Sequence, residues 1–114
     1  MVHRHWYAVY VRHNTEFRVE SWLREQGIEI YLPVQDVYRE HAGKRIKVTK
    51  PVISGMLFVC LSRPELTIVE HAPNVHHFFS KRGTNAPLII PDQQMADFRF
   101  MVDLSDTSIL KFRI

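Results

Sequence analysis

A chain of 114 residues is long enough for one domain that buries its own core, without disulfides or metals to hold it together. Hydrophobic residues make up 46% and charged residues 24%, as in an ordinary globular protein, which argues against a disordered chain. The longest apolar runs have six residues, far below the ~20 that span a bilayer, and we expect no secretory signal. The single cysteine, Cys60, excludes an internal disulfide and favours a reducing cytoplasm.

The net charge of +3 comes entirely from the first half of the chain. Residues 1–50 hold nine Lys and Arg against six Asp and Glu, whereas residues 51–114 hold six of each. A local excess of cations favours a polyanionic partner such as nucleic acid.

The first third of the chain predicts a strand, a helix and a second strand. The aromatic and β-branched run Trp6–Val11 is typical of a strand. A helix follows with Asn14 or Thr15 as its N-cap, and Gly27 suits its C-terminal end. Residues 28–32 alternate between apolar and polar side chains as a second strand.

The segment 35–52 predicts a β-hairpin with residues 41–44 at its turn. In the second arm, Ile46 and Val48 share one face of the ribbon. The opposite face of that arm holds Arg45, Lys47 and Thr49.

The second half predicts a strand over residues 55–61 and another over residues 74–80. Ser62–Glu65 has the spacing of a capping box, so a short helix is expected between these strands. A last helix is expected to open at Pro91-Asp92. Its inward side chains would be Met95, Phe98, Met101 and Val102.

The predicted elements follow the order β-α-β-β-β-α-β-α. With hairpin-type connections, this order predicts an α+β fold in which helices flank an antiparallel four-stranded sheet. Residues 109–114 alternate like the start of a strand that has no partner. We therefore expect a domain over residues 1–104, followed by a linker or the start of a further domain over residues 105–114.

Two of the predicted strands, residues 6–11 and 56–61, are apolar on both faces. One of these faces carries Tyr10, Met56 and Phe58. If helices cover only the other face, these three side chains form an exposed patch of the kind that marks a binding surface. If helices cover both faces, the same side chains belong to the core, and the pattern alone does not decide between these arrangements.

Cations cluster at two places in the first half of the chain. Between residues 39 and 50, five Lys and Arg face one acid, Glu40. Such a cluster suits phosphate contact, and a solvated hairpin tip is the alternative. Arg12, His13 and Arg18 surround the first strand-to-helix turn, where they either extend a basic stripe or are ordinary surface residues.

No motif for catalysis or metal binding occurs in the sequence. There are seven histidines, but none has the HxxxH, CxxC or HxxEH spacing of a metal site. Cys60 lies within an apolar run, the usual place of an inert buried thiol, and no Walker, GxGxxG or GxSxG motif is present. We expect no catalytic residue, no metal and no cofactor.

Several motifs of moderate specificity occur in one order and spacing between Trp6 and Val102. They are Trp6-Tyr7 at the first strand, Gly27–Pro33, Ile53–Val59, Pro73–Phe79 and Ala86–Asp92. With them the sequence resembles the NusG N-terminal domain family of transcription elongation factors. Within that family it looks most like the specialised antiterminator paralogues, the RfaH-like and UpxY-like proteins.

The resemblance implies a non-enzymatic factor that binds bacterial RNA polymerase and suppresses pausing and termination at particular operons. An apolar patch on the family's sheet docks on the clamp helices of the β′ subunit, and a loop approaches the gate loop of the β subunit. Carried to this chain, the patch is Tyr10, Ile53, Met56 and Phe58.

The resemblance also implies contacts with the non-template DNA strand, made by basic residues around the first turn and helix. The matching positions are Arg12, His13 and Arg18, and the hairpin adds Lys44 and Arg45. From the resemblance we expect the family's second domain, a small KOW barrel, to be missing from this chain, with residues from 109 onward at the boundary before it. A membrane partner is not expected.

Two other functions remain open from the sequence. Residues 55–59 partly match a strand of single-stranded RNA-binding modules of the RRM type, although Met56 stands where such modules carry a stacking ring. A small enzyme that uses His76 or His77 is the other, but no second catalytic partner occurs at a recognisable spacing.

Overall fold

The structure is a computed structural model that describes the backbone of residues 3–112 and the side chains of residues 3–104. It contains six strands and three helices within this range. In chain order they are β1 His5–Val11, α1 Glu16–Glu25, β2 Glu29–Tyr31, β3 Val34–His41, β4 Lys44–Pro51, β5 Met56–Leu61, α2 Glu65–Glu70, β6 Val75–Phe78 and α3 Asp92–Phe112.

The strands form two separate sheets. Four of them make an antiparallel sheet in the order β2-β5-β1-β6, and β3 pairs only with β4 in a two-stranded ribbon. The predicted α+β class with a four-stranded antiparallel sheet and flanking helices is confirmed. The predicted order counts one strand fewer than the structure, which has four strands between α1 and α2, although a strand is predicted at each of the four places: residues 28–32, the two arms of the hairpin and residues 55–61.

The first face of the four-stranded sheet is covered by α1 and α2. Val9 and Leu57 of the two central strands lie in one buried cluster with Val19 and Leu23 of α1 and Val69 of α2. Among the described residues, the buried cluster on this face has 14 members and the one on the other face has four, which makes this layer the main source of stability. Trp22 packs half-buried against the same cluster.

The second face of the sheet is covered only in part, by α3. Met95 of this helix packs with Trp6, Ala8 and Phe58 in a smaller buried cluster. The helix begins at Asp92, directly after Pro91, as the sequence predicts. Its outer side is apolar as well, since Phe100 and Met101 are each 66% exposed, so the expectation that Met101 faces inward is wrong.

A strand was expected to start at residue 109. Instead, the backbone of α3 continues to Phe112, so the described residues do not contain that strand. Six alternating residues do not distinguish a strand from a helix, and extending an existing helix adds one hydrogen bond for each residue that is fixed. Residues 113 and 114 lie outside the described residues. The domain boundary expected at residue 104 falls inside α3, and the assignment of residues 105–114 to a linker stays a prediction.

The ribbon turns at two residues with positive φ, Ala42 at 54° and Gly43 at 78°. Two such residues are typical of the tight turn whose twist matches that of a β-hairpin. The register runs from His41 opposite Lys44 to Val34 opposite Pro51. With a rise of about 3.4 Å per residue, the tip of the ribbon lies about 25 Å from its base.

Candidate interaction surfaces

The end of the second sheet face that α3 leaves uncovered is apolar and aromatic. Tyr10 pairs with Met56 on one side and with His77 on the other, so the three side chains lie on the same face. The Tyr10 ring lies 4.9 Å from the His77 ring and 6.0 Å from the Phe79 ring. Tyr10 and Met56 are half-buried, whereas His77 and Phe79 are exposed. Together with Ile53 we call these side chains the open patch: Tyr10, Ile53, Met56, His77 and Phe79.

Phe58 does not belong to this exposed surface, so for this residue the structure has the covered arrangement, one of the two that the sequence pattern left open. The ring is only 7% exposed, because Phe98 of α3 packs against it at 5.3 Å and Tyr31 at 6.2 Å. Alternation along β5 places Phe58 on the same face as Met56, but two residues nearer to the helix. The expected patch is thus divided into a covered part with Phe58 and an open part with Tyr10, Ile53 and Met56.

The loop between β4 and β5 is fixed to the start of α1, which sets the position of Ile53 and Met56. The backbone N–H of Gly55 donates a hydrogen bond to Oε2 of Glu16 at 2.7 Å, and Glu16 is 4% exposed. The Gly55 carbonyl accepts a hydrogen bond from the N–H of Val11 at 2.9 Å. The side chains of His13 and Ser54 share a further hydrogen bond.

Gly55 is required at this point by its conformation and by space. Its φ of +75° lies in the left-handed region, which L side chains rarely adopt. A Cβ at this position would meet the Val11 carbonyl oxygen at 3.3 Å. A glycine therefore allows the loop to approach β1 closely enough to align Met56 with Tyr10.

Three of the expected nucleic-acid contacts surround the turn beside the open patch. Arg12 and His13 are exposed directly after β1, and Arg18 is exposed on α1. The turn is held by a hydrogen bond from the Arg12 N–H to the Asn74 carbonyl at 2.8 Å and by one from Thr15 Oγ1 to the Arg12 carbonyl at 2.6 Å. These hydrogen bonds hold the backbone of Arg12 and His13 directly after Tyr10.

The other two expected contacts lie elsewhere. Lys44 and Arg45 sit at the tip of the ribbon, far from the first turn, and they point to opposite faces. The Arg45 guanidinium lies 4.4 Å from the centre of the Tyr38 ring and opposite Glu40. The structure therefore separates the five expected nucleic-acid contacts into a turn group, which is Arg12, His13 and Arg18, and a ribbon group, which is Lys44 and Arg45.

The described residues contain no group of three or more His, Cys, Asp and Glu arranged to hold a metal ion. Burial raises the pKa of the Cys60 thiol, and the nearby carboxylates of Glu29 and Asp92 raise it further. The thiol is thus kept protonated, which makes it a poor nucleophile. No helix among the described residues is long and apolar enough to cross a membrane.

Sequence reasoning missed two members of the open patch, His77 and Phe79. Period-two alternation places them on one face of β6 and its extension, but alternation does not say which strand lies beside β6. The pairing of β6 with β1 supplies that information by placing His77 opposite Tyr10. The Phe79 N–H then donates to the Ala8 carbonyl at 2.8 Å and continues the same edge.

Comparisons with known proteins agree with this fold. The family model NusG, described as "Transcription termination factor nusG", matches residues 4–99 of the chain. Among solved structures, the chain is similar to one described as "Domain interaction in Thermotoga maritima NusG", with a TM-score of 0.54 and 21% identity. The match covers 81% of this chain and 53% of that one, so the chain spans about half the length of that protein. No curated protein matches the sequence.

Proposed function

The chain belongs to the NusG family of transcription factors, and from this premise we propose that it binds bacterial RNA polymerase and suppresses pausing and termination. The observation that carries the proposal is the open patch at the uncovered end of the sheet. The family match makes polymerase the partner to test first. The family is not one of enzymes, and the protonated Cys60 thiol is in keeping with that.

The proposed docking surface is Tyr10, Ile53 and Met56, extended by His77 and Phe79. Aromatic rings and methionine are enriched at protein interfaces, where they bury much apolar area with few polar groups to desolvate. The partner surface we propose is the pair of clamp helices of the β′ subunit, with the gate loop of the β subunit nearby. Phe58 is buried between Met56 and α3, so it contributes by packing against Met56 and not by contacting a partner.

The turn group, Arg12, His13 and Arg18, is the proposed contact with the non-template DNA strand. Arg12 and His13 follow Tyr10 by two and three residues, so a polymerase docked on the patch would hold these two side chains close to DNA in the enzyme. Arg18, by contrast, lies on α1, which covers the other face of the sheet. The contribution of the turn group would be mainly positional, because phosphate contacts orient a protein without reading sequence. Localisation in the bacterial cytoplasm, action at particular operons and a KOW domain that follows in the full-length factor belong to the same proposal.

The single-stranded RNA-binding alternative is not supported. Stacking of bases requires exposed rings on the central strands of the sheet. Phe58, the ring of the partial RNP1 match, is covered by α3, and Met56 stands beside it without a ring. The other rings on this face do not belong to the partial RNP1 match: Tyr10 of β1 is half-buried, and His77 and Phe79 lie beyond it at the edge of the sheet.

A single-round transcription assay with purified bacterial polymerase tests the proposed activity. The wild-type protein should shorten pauses and increase readthrough of a terminator. Met56→Asp should abolish this effect because it places a charge in the open patch. Ile68→Asp is the matched control, since Ile68 is an exposed apolar residue of α2 on the opposite side of the sheet. A wild-type protein without effect on pausing or termination would contradict the proposal.

A further inference from the structure

The two faces of the β3–β4 ribbon differ in charge. The register places eight side chains on each face. The first, which we call the balanced face, carries Val34, Asp36, Tyr38, Glu40, Arg45, Lys47, Thr49 and Pro51. The second, which we call the cationic face, carries Gln35, Val37, Arg39, His41, Lys44, Ile46, Val48 and Lys50.

The balanced face satisfies its charges internally. Asp36 accepts a hydrogen bond from Thr49 Oγ1 at 2.7 Å, and its second oxygen lies 3.6 Å from Lys47 Nζ. Arg45 lies over the Tyr38 ring at 4.4 Å and opposite Glu40. Two carboxylates thus offset two cations.

The cationic face has no carboxylate to offset Arg39, Lys44 and Lys50. All three side chains are exposed, and none of them forms an ion pair with another residue in the part of the chain that the structure describes. Between them lie the aliphatic side chains of Ile46 and Val48. The ribbon therefore presents three unpaired positive charges to one side only.

Protection of a sheet edge does not explain this distribution. Charges that prevent edge-to-edge pairing are effective on either face of a ribbon. The ribbon is also separate from the main sheet, so the core does not require cations on one particular side. An external polyanion is the partner that this asymmetry fits.

We propose that the cationic face binds the backbone of duplex DNA. A two-stranded β-ribbon has the width that the major groove of B-form DNA admits. The three cations extend over about 20 Å, a length along which a duplex presents about 12 phosphate charges. This contact goes beyond the proposed docking on polymerase and the turn group, and it requires neither.

A duplex is favoured over a single strand because the cationic face carries no Phe, Tyr or Trp ring, and its one ring is the His41 imidazole at the tip. Proteins that bind single strands without sequence preference stack the bases on such rings. Tyr38, the other ring of the ribbon, lies on the balanced face under Arg45. The aliphatic Ile46 and Val48 suit contact with sugars or with thymine methyl groups.

Titration of a labelled duplex oligonucleotide at several salt concentrations, without polymerase, tests the proposal. The variant Lys44→Ala/Lys50→Ala removes two cations from the cationic face. The control Lys47→Ala/Lys81→Ala removes one cation from the balanced face and one from the exposed loop after β6, so the net charge changes equally. Circular dichroism checks that both variants are folded.

The cationic-face variant should bind the duplex about tenfold more weakly at low salt. The negative slope of log K against log salt should become shallower by about 1.8, or about 0.9 for each lost phosphate contact. The control should change affinity less than about twofold, as expected for side chains that make no phosphate contact. Equal losses in the two variants, tighter binding of the single strand than of the duplex, or no duplex binding by the wild type would overturn the proposal. Binding to polymerase is measured separately, so a failure there would count against the proposed function alone.

Discussion

The carboxylate of Glu16 accepts a hydrogen bond from the backbone N–H of Gly55 at 2.7 Å. This contact joins the first turn of α1 to the loop that leads into β5. Because Glu16 is almost completely buried, the hydrogen bond is shielded from water and is expected to be stronger than one at the surface. It therefore helps to hold Met56 beside Tyr10.

Glu16→Ala should destabilise the protein because it leaves the Gly55 N–H without its acceptor. The expected loss in the free energy of unfolding is about 1–3 kcal/mol, the usual cost of an unsatisfied buried polar group. Urea denaturation measures it. Glu25→Ala is the control, an exposed glutamate at the end of the same helix, and it should change stability by less than about 0.5 kcal/mol. Equal effects of the two substitutions would contradict the assigned role of Glu16.

Gly55→Ala should destabilise the protein more than Gly83→Ala. Both glycines have positive φ, 75° and 78°, so both substitutions introduce backbone strain of about 1–2 kcal/mol. Only at Gly55 does the new Cβ also meet a neighbouring atom, the Val11 carbonyl oxygen at 3.3 Å, whereas Gly83 has open space. We expect a difference of about 1 kcal/mol between the variants in urea denaturation. Identical midpoints would show that the loop can move away from β1 without cost.

Phe58→Ala should destabilise the protein by about 3–5 kcal/mol, because it removes a ring from the cluster beneath α3. Met56→Ala should cost less, since Met56 is only half-buried at the open end of the same strand. Thermal unfolding of the two variants measures the difference. A small effect of Phe58→Ala would mean that α3 does not cover this part of the sheet in solution.

The Glu65 carboxyl makes the free energy of unfolding depend on pH in the acid range. Its carboxylate accepts hydrogen bonds from the Ser62 N–H at 2.8 Å and from the Ser62 hydroxyl at 2.9 Å, and it pairs with Arg4 at 3.1 Å. The pKa of Glu65 is lowered from its ordinary value of 4.5, mainly by the hydrogen bond from the Ser62 N–H and further by the Arg4 guanidinium. A lowered pKa in the folded state stabilises the protein above the unfolded value, and this stabilisation is lost as the pH falls through the folded value.

Glu65→Gln should therefore be less stable than the wild type at pH 7, and the difference should shrink as the pH falls below 4.5. Urea denaturation at a series of pH values measures it. Glu70→Gln controls for the loss of one negative charge from the same helix. A difference that stays constant down to low pH would exclude a stabilising role of the Glu65 carboxylate.

The capping-box spacing of Ser62 and Glu65 shows how much of the fold the sequence predicts. Local patterns of this kind, together with apolar alternation, correctly predicted the individual strands of the four-stranded sheet, α1, α2 and the start of α3. Each of these elements is determined by residues close together in the chain, so a single sequence contains the required information.

The candidate site was predicted less completely, because it depends on pairings between distant segments. The burial of Phe58 follows from the position at which α3 crosses the sheet, and the contribution of His77 follows from the pairing of β6 with β1. The ribbon shows the same limit. The pattern of β4 alone predicts that the face with Arg45 and Lys47 is the basic one. The pairing of β4 with β3 places Asp36 and Glu40 on that same face, where they offset its positive charge.

Direct titration of bacterial core RNA polymerase with the labelled protein tests the central claim that the open patch is the docking surface. The wild type and the control Ile68→Asp should bind with the same Kd, whereas Met56→Asp should bind at least about tenfold more weakly because a charge would be buried in the interface. Circular dichroism and thermal unfolding confirm beforehand that each variant is folded. If Met56→Asp, correctly folded, binds polymerase with the wild-type Kd, the open patch is not the docking surface.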